Sequence, residues 1–181
     1  MIDYLSIIEK YYTKGSDIYN LLVAHSKQVA DFAMDIIEQR PDLSIDKEFV
    51  YEAAMLHDIG IFKTHAPSIY CTGNMPYICH GYLGREILEK EGLFRHAIVC
   101  EHHTGSGLGI DDIIAQNMPL PHRDMLPITI EEKLVCYADK FFSKSHISPA
   151  KSVVQVREEM ARFGNSSLMR FDKLHSLFNN K

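Results

Sequence analysis

The chain has 181 residues, of which 46% are hydrophobic and 24% charged, and its formal net charge is −5. This composition is typical of a globular protein with a buried core, it excludes a disordered chain, and the length suits a single domain over residues 1–181. Acidic and basic residues are interspersed without a Lys/Arg block, so nucleic acid is not an expected partner.

Apolar residues recur at helical spacing through most of the sequence. Because no alternating run is long enough for a useful strand, the predicted fold class is all-α. A first helix is expected over about 2–12 and a second over about 17–39. A third begins near Asp46 and carries His57 at its end, where Gly60 is well placed to stop it.

Two long connections interrupt the later helices. The first, 61–79, is rich in Pro, Gly, Thr and Asn, and helices are expected after it over about 80–92 and 94–103. The second, 107–128, contains three prolines and one short helical piece near 111–116. Loops of this length inside a compact domain are usually functional or mobile.

The C-terminal third again contains clear helix signals. A capping box at Thr129 opens the helix that carries Asp139. The pair Ser148-Pro149 predicts the start of a further helix, which runs to about residue 162, and a last helix is expected over about 167–178. We therefore predict a core over about 18–145 and accessory C-terminal helices over 146–181.

Histidine is unusually frequent, with ten copies, and it is the commonest transition-metal ligand. His25 falls in the apolar stripe of the second helix, where an unpaired polar group would be costly. Taken alone, such a histidine is more often a hydrogen-bonded core residue than a ligand. The adjacent His57 and Asp58 strengthen the metal interpretation, since they place nitrogen and oxygen donors together at a helix end.

The motif His57-Asp58-Ile59-Gly60 resembles the HDIG variant of the HD superfamily signature. Members of that family have an isolated histidine before the pair and an aspartate after it on a later helix, and His25 and Asp139 match these positions. The resemblance covers about 25–142. It implies a five-helix HD core and a metal site built from the four matching residues.

HD proteins with two metals carry additional histidine ligands between the pair and the last aspartate. His80 and His103 occupy corresponding positions, so the resemblance implies a binuclear centre bridged by Asp58. Imidazoles and carboxylates without thiolates suit divalent transition metals, one or two ions, with Fe or Mn favoured and Zn, Co or Ni compatible. His102 remains open between a supporting, a substrate-facing and an exposed residue.

The implied activity is hydrolysis of a phosphate ester or anhydride in a nucleotide or another small phosphorylated metabolite, by metal-activated water. Asp58 is the predicted catalytic bridging residue, and Lys63 is a predicted catalytic and phosphate-binding residue, with a solvated loop lysine as the alternative. Arg85 and Arg123 are further predicted substrate contacts. His65 is either a proton donor or, as we prefer, a surface residue.

Two other functions share this donor set. Some HD proteins hold a di-iron centre on the same ligands and act as oxygenases, and a non-catalytic metal-binding regulatory module is a third hypothesis. A homodimer is compatible with the sequence. No apolar run approaches the roughly 20 residues that cross a bilayer, and the first residues do not resemble a signal peptide, so we expect a cytoplasmic protein without a membrane partner.

Overall fold

The computed structural model of the protein describes residues 2–144 and 149–179. Their secondary structure is almost entirely helical, which confirms the predicted all-α class. None of the helices in these two stretches is long and apolar enough to span a membrane. The helices of the described residues are α1 (Tyr4–Tyr11), α2 (Asp17–Gln39), α3 (Lys47–Leu56), α4 (His80–Lys90), α5 (Phe94–His102), α6 (Ile110–Ala115), α7 (Ile130–Asp139), α8 (Val153–Arg162) and α9 (Asn165–Phe178).

Side-chain caps fix the starts of α3 and α7, which lead to three of the metal-ligand candidates. At α3, the Asp46 carboxylate accepts a hydrogen bond from the backbone N–H of Phe49. At α7, the Thr129 hydroxyl accepts from the backbone N–H of Glu132, whose carboxylate accepts in return from Thr129. These bonds satisfy donors that the first turn of a helix leaves unpaired, and they confirm the predicted capping box.

The predicted start of the eighth helix is wrong. Pro149 lies outside any helix, Ser148 lies outside the described residues, and α8 begins directly after Ser152, whose hydroxyl caps it. Gly164, at a φ of +106°, then separates α8 from α9, so the last helix begins slightly before the predicted position. A local Ser-Pro signal was outweighed by a complete capping box a few residues later.

The connection 61–79 contains a small hairpin that the sequence did not predict. Its strands β1 (His65–Ala66) and β2 (Cys71–Thr72) pair antiparallel, and Tyr70 takes a φ of +61° just before β2. Strands of two residues are too short to leave an alternating pattern. The hairpin folds the connection back on itself and returns the chain to the start of α4.

The helices enclose two main hydrophobic clusters. One lies between α2, α3 and α7 and also takes in α8 and α9, and the other lies between α1, α2, α4 and α5. Phe171 of α9 and Val156 of α8 are fully buried in the first cluster. The C-terminal helices therefore share the core instead of standing apart from it. All four cysteines are buried free thiols.

Candidate metal centre

Four buried side chains from three separate helical regions meet at one point. His25 comes from the middle of α2, His57 and Asp58 from the end of α3, and Asp139 from the last residue of α7. His25 Nε2 lies 3.0 Å from Asp139 Oδ1 and 3.3 Å from Asp58 Oδ2. His57 Nε2 lies 3.1 Å from the same Asp58 oxygen. We call these four residues the first cluster.

A second cluster shares Asp58 with the first. His80 Nε2, at the start of α4, and His103 Nε2, just after α5, lie 3.0 Å apart. Each of them is 3.4 Å from Asp58 Oδ1. Asp58 therefore directs Oδ2 towards the first cluster and Oδ1 towards the second. This is the geometry of a carboxylate that can bridge two cations.

Backbone carbonyls orient three of the four imidazoles. The Nδ1–H groups of His57, His80 and His103 each donate to the carbonyl three residues earlier, at 2.6, 2.7 and 2.7 Å. Each bond fixes the ring and leaves Nε2 pointing into the clusters. Metal-binding histidines are commonly held by this kind of hydrogen bond from the nitrogen opposite the metal.

Several polar atoms of the first cluster lack hydrogen bonds. His25 Nδ1, His57 Nε2 and Asp58 Oδ1 are buried without a hydrogen-bond partner among the described residues, whereas Asp58 Oδ2 has the ammonium group of Lys144 at 2.7 Å. Burying such atoms unsatisfied is costly, and buried carboxylates normally pair with a cation or bind a metal. The donor set, all nitrogen and oxygen, fits a divalent transition-metal ion.

The electrostatic environment keeps Asp58 ionised and the imidazoles of His80 and His103 neutral. Burial alone would raise the pKa of Asp58, but the neighbouring His57 and Lys144 hold it well below its usual range. Burial lowers the pKa of His80 to about 3 and that of His103 to about 4. Both imidazoles of the second cluster are therefore neutral near pH 7, with a lone pair available for a metal.

Two lysines at the site were missed by the sequence reasoning. Lys140 Nζ lies 2.7 Å from Asp139 Oδ2 and donates to the carbonyl of His103 at 3.1 Å. Lys144 Nζ lies 2.7 Å from Asp58 Oδ2 and 3.7 Å from Asp139 Oδ1. The available signal was their position directly after Asp139, where the chain leaves α7 beside the clusters.

The structure does not bring Arg85 and Arg123 to the clusters. Both guanidinium groups bind the buried carboxylate of Glu101, with contacts of 2.5 Å from each arginine. These ion pairs connect α4 and the connection 107–128 to α5. The two arginines therefore have a structural partner in Glu101, and their predicted contact with substrate stays a prediction.

Three other residues considered in the sequence analysis belong to neither cluster. Lys63 follows the His-Asp pair in a short 3-10 turn and is half-buried, while His65 in β1 is exposed, in line with its surface interpretation. His102 is buried and lies 2.8 Å from the carboxylate of Glu132 through Nδ1. His102 was predicted to be a supporting, a substrate-facing or an exposed residue. The contact with Glu132 favours the first alternative, because it joins the end of α5 to the capping box of α7.

A cavity of about 350 Å³ gives access to the second cluster. Its lining includes His80, His103 and Asp139, together with Lys140 and Lys144. Lys63, Arg85 and Arg123 are not among its lining residues. A small molecule in this cavity can therefore contact candidate ligands of both clusters, Asp139 of the first and His80 and His103 of the second.

Comparison with known proteins identifies the family of this chain. The HD domain family matches residues 22–143, a range that contains every residue of both clusters. Together, the match and the buried His/Asp clusters fit the binding of divalent metal ions. No solved structure matches the chain.

Three relatives are identical to this chain at about three aligned residues in ten. An uncharacterized protein of Methanocaldococcus jannaschii is 30% identical over 162 residues, 88% of each chain. A tRNA (cytidine(56)-2′-O)-methyltransferase of Picrophilus torridus is 31% identical over 167 residues, 90% of this chain but 42% of that protein. A methyltransferase of the same name from Thermoplasma volcanium is 29% identical over 140 residues, 77% of this chain and 35% of that protein. The HD match spans most of the sequence, and the chain therefore belongs to the HD domain family.

Proposed function

We propose that this chain is a metal-dependent phosphohydrolase that cleaves a phosphate ester or anhydride of a nucleotide or another small phosphorylated metabolite. One observation carries the proposal: the two oxygens of Asp58 face two different sets of histidines, so that a single carboxylate serves both clusters. Sites with two ions a few ångströms apart are typical of enzymes that catalyse phosphoryl transfer to water.

When bound, two divalent ions activate water for attack on phosphorus and offset the negative charge that develops on the phosphate oxygens. In the hydrolysis, the water oxygen forms a bond to phosphorus, the bond from phosphorus to the leaving oxygen breaks, and that oxygen takes up a proton. The products are a phosphate and an alcohol, or two phosphates where an anhydride is cleaved. No further reactant is needed.

The lysines at the cavity provide charge for the phosphate group. Burial would lower the pKa of Lys144, but Asp58, Tyr77 and Asp139 outweigh it and hold that pKa well above its usual range. Lys144 is therefore a permanent cation beside the shared carboxylate. Cationic groups fixed in a partly enclosed site bind phosphate oxygens more strongly than the same groups in water.

The proposal also includes the kind of metal and the kind of substrate that the site binds. Nitrogen and oxygen ligands without thiolates suit Fe, Mn, Co, Ni or Zn, and among these we propose Fe or Mn. The cavity volume of about 350 Å³ is near the lower end of the range for ligand sites, about 300–1,000 Å³, and suits a small molecule. Two relatives are named as methyltransferases of a tRNA cytidine, and this association with nucleotide chemistry supports a nucleotide-like substrate.

The test uses the purified chain, loaded with Mn²⁺ or Fe²⁺ and with its metal content measured. We expect hydrolysis of at least one member of a panel of nucleotides, dinucleoside polyphosphates and sugar phosphates, by release of phosphate. Asp58→Ala is expected to lose metal from both clusters and at least a hundredfold in rate, while keeping its helical circular dichroism. If the fully metal-loaded protein hydrolysed no member of the panel, the proposal would be contradicted.

A di-iron oxygenase is the second candidate function. The observation that favours it is the same pair of clusters sharing one carboxylate, because such an N/O ligand set also suits two iron ions. Substrate-dependent oxygen uptake by the iron-loaded protein, with a mixed-valence spectroscopic signal, would support it. Equal phosphate release with Mn²⁺ and without oxygen would favour the hydrolase.

A further inference from the structure

One wall of the cavity comes from outside the matched family region. The HD match ends at residue 143, whereas the cavity continues onto α8 and α9. The lining residues from this C-terminal hairpin and the segment before it are Lys151, Glu159, Met160, Phe163, Ser167 and Arg170.

This wall is fixed to the core by specific bonds. Ser106 donates to the backbone carbonyl of Ser167 at 2.8 Å, which ties α9 to the loop after His103. Arg170 Nη2 lies 2.7 Å from Asp112 Oδ2 and ties the same helix to α6. Together with the buried Phe171, these contacts give the hairpin a defined position over the cavity. The hairpin therefore presents a fixed surface to the cavity, and this surface can select among substrates.

The cavity lining also includes apolar side chains. Met160 of α8 and Phe163, directly after α8, line the same cavity as Lys140 and Lys144, and Leu108 and Met118 add further apolar surface from the connection 107–128. Phe163 is 60% exposed, which leaves a large aromatic ring uncovered at the rim. A cavity lined both by cations with metal-ligand candidates and by apolar side chains suits a molecule that has both a phosphate group and an apolar part.

Arg170 of α9 adds a polar group to the cavity lining. Its Nε is buried and has no hydrogen-bond partner among the residues that the structure describes, although its Nη2 is paired with Asp112. A buried donor without a partner is unfavourable unless a ligand or water accepts from it. The ring-bearing part of a substrate commonly carries such an acceptor.

We propose that the α8–α9 hairpin binds the organic part of the substrate, and that this substrate is a phosphate monoester whose alcohol carries a single flat ring system. The inference rests on the proposed function and adds the residues that select the substrate. Phe163 and Met160 pack on the ring, and Arg170 meets an acceptor on it. At about 350 Å³, the cavity suits one such ring with its phosphate better than two linked nucleosides.

The test measures binding of two stable phosphonates to the Mn²⁺-loaded protein by calorimetry. We expect phenylphosphonate to bind about tenfold more tightly than methylphosphonate, because aromatic stacking adds to the shared phosphonate contacts. Phe163→Ala should remove this preference by weakening the phenyl compound alone, and Phe163→Tyr should retain it. Val154→Ala is the control, since Val154 is 64% exposed on the same helix and is not a lining residue of the cavity.

The outcomes separate the inference from the proposed function. If both phosphonates bind equally well to the wild-type protein, or if Phe163→Ala weakens both equally or neither, the hairpin does not select the ring and the inference is wrong. If neither phosphonate binds to the metal-loaded protein, the proposed function fails and the inference fails with it.

Discussion

The burial of Asp58 and its contacts have opposite effects on the stability of its charged form. It is fully buried, which penalises its charge, yet both of its oxygens are arranged to face cationic or metal-binding groups. A buried carboxylate is stable only when its charge is compensated, here by Lys144 and by the metals that we propose. The residue therefore connects the two clusters electrostatically as well as geometrically.

His80→Ala should show whether the second cluster binds a metal ion of its own. His80 belongs only to the second, so its loss is expected to reduce the metal content from two ions per chain to one, measured by elemental analysis after metal loading and desalting. His102→Gln is the matched control, because His102 is also a buried histidine near the site but lies in neither cluster, and it should retain two ions. Two retained ions in His80→Ala would exclude this residue as a ligand.

Single residues also mark the limit of the sequence reasoning. The histidines and aspartates could be selected because a motif and an order along the chain identify them. Lys140 and Lys144 carry no such signal, since a lysine near a helix end is usually solvated. The ion pairs of Arg85 and Arg123 could not be predicted, because which segments lie beside their partner Glu101 depends on the tertiary structure.

At the scale of elements, the turn after α3 and the start of α4 approach each other unusually closely. A Cβ atom added to Gly60 would lie 2.3 Å from the carbonyl oxygen of His80 and 2.5 Å from the backbone nitrogen of Gly84. No flexible side chain can move aside to relieve this contact, because both neighbours are backbone atoms. Glycine at this position therefore sets the separation of Asp58 from His80.

Gly60→Ala should displace α4 from the end of α3. We expect a loss of about 1–3 kcal/mol in the free energy of unfolding, as for other overpacked sites, together with a weaker second cluster. Urea denaturation and metal content are the measurements. Gly109→Ala is the control, because a Cβ atom there meets its nearest neighbour at 3.6 Å, and it should change the stability little. Equal effects of the two substitutions would contradict the close contact.

The cap of α7 should contribute to the stability of the helix that ends in Asp139. Thr129→Ala removes the hydroxyl that accepts from Glu132 N–H, and we expect a loss of about 1 kcal/mol in urea denaturation. Thr129→Ser keeps that acceptor and should recover most of the loss. If Ser were as destabilising as Ala, the methyl packing of Thr129 and not its cap would be responsible.

Helix caps also explain which element boundaries could be predicted. The starts of α3 and α7 were expected correctly because Asp46 and Thr129 act within the first turn. The hairpin within 61–79 was not expected, since its pairing is held by backbone bonds that any sequence can make. Local signals therefore identify helix starts better than they identify short strands.

At the scale of the whole molecule, the C-terminal helices complete the site. Sequence alone predicted two accessory helices but not the surface that they cover, because that depends on contacts between distant segments. The hydroxyl of Tyr137 on α7 lies 2.8 Å from His175 Nδ1 on α9, and the two helices share the core cluster. The cavity is lined by residues within the matched family region and by residues that follow it in the chain.

Metal binding should stabilise the whole fold, because the ligands converge only when α2, α3, α4, α5 and α7 are packed together. A ligand that binds only the folded state at a hundred times its Kd adds about 2.7 kcal/mol. At about 2–4 °C per kcal/mol for a chain of this size, the melting temperature in Mn²⁺ should exceed that in EDTA by roughly 5–10 °C by calorimetry. In Asp58→Ala this difference should disappear, since both clusters lose their shared ligand. A full shift in the variant would mean that the stabilising ion binds elsewhere on the protein.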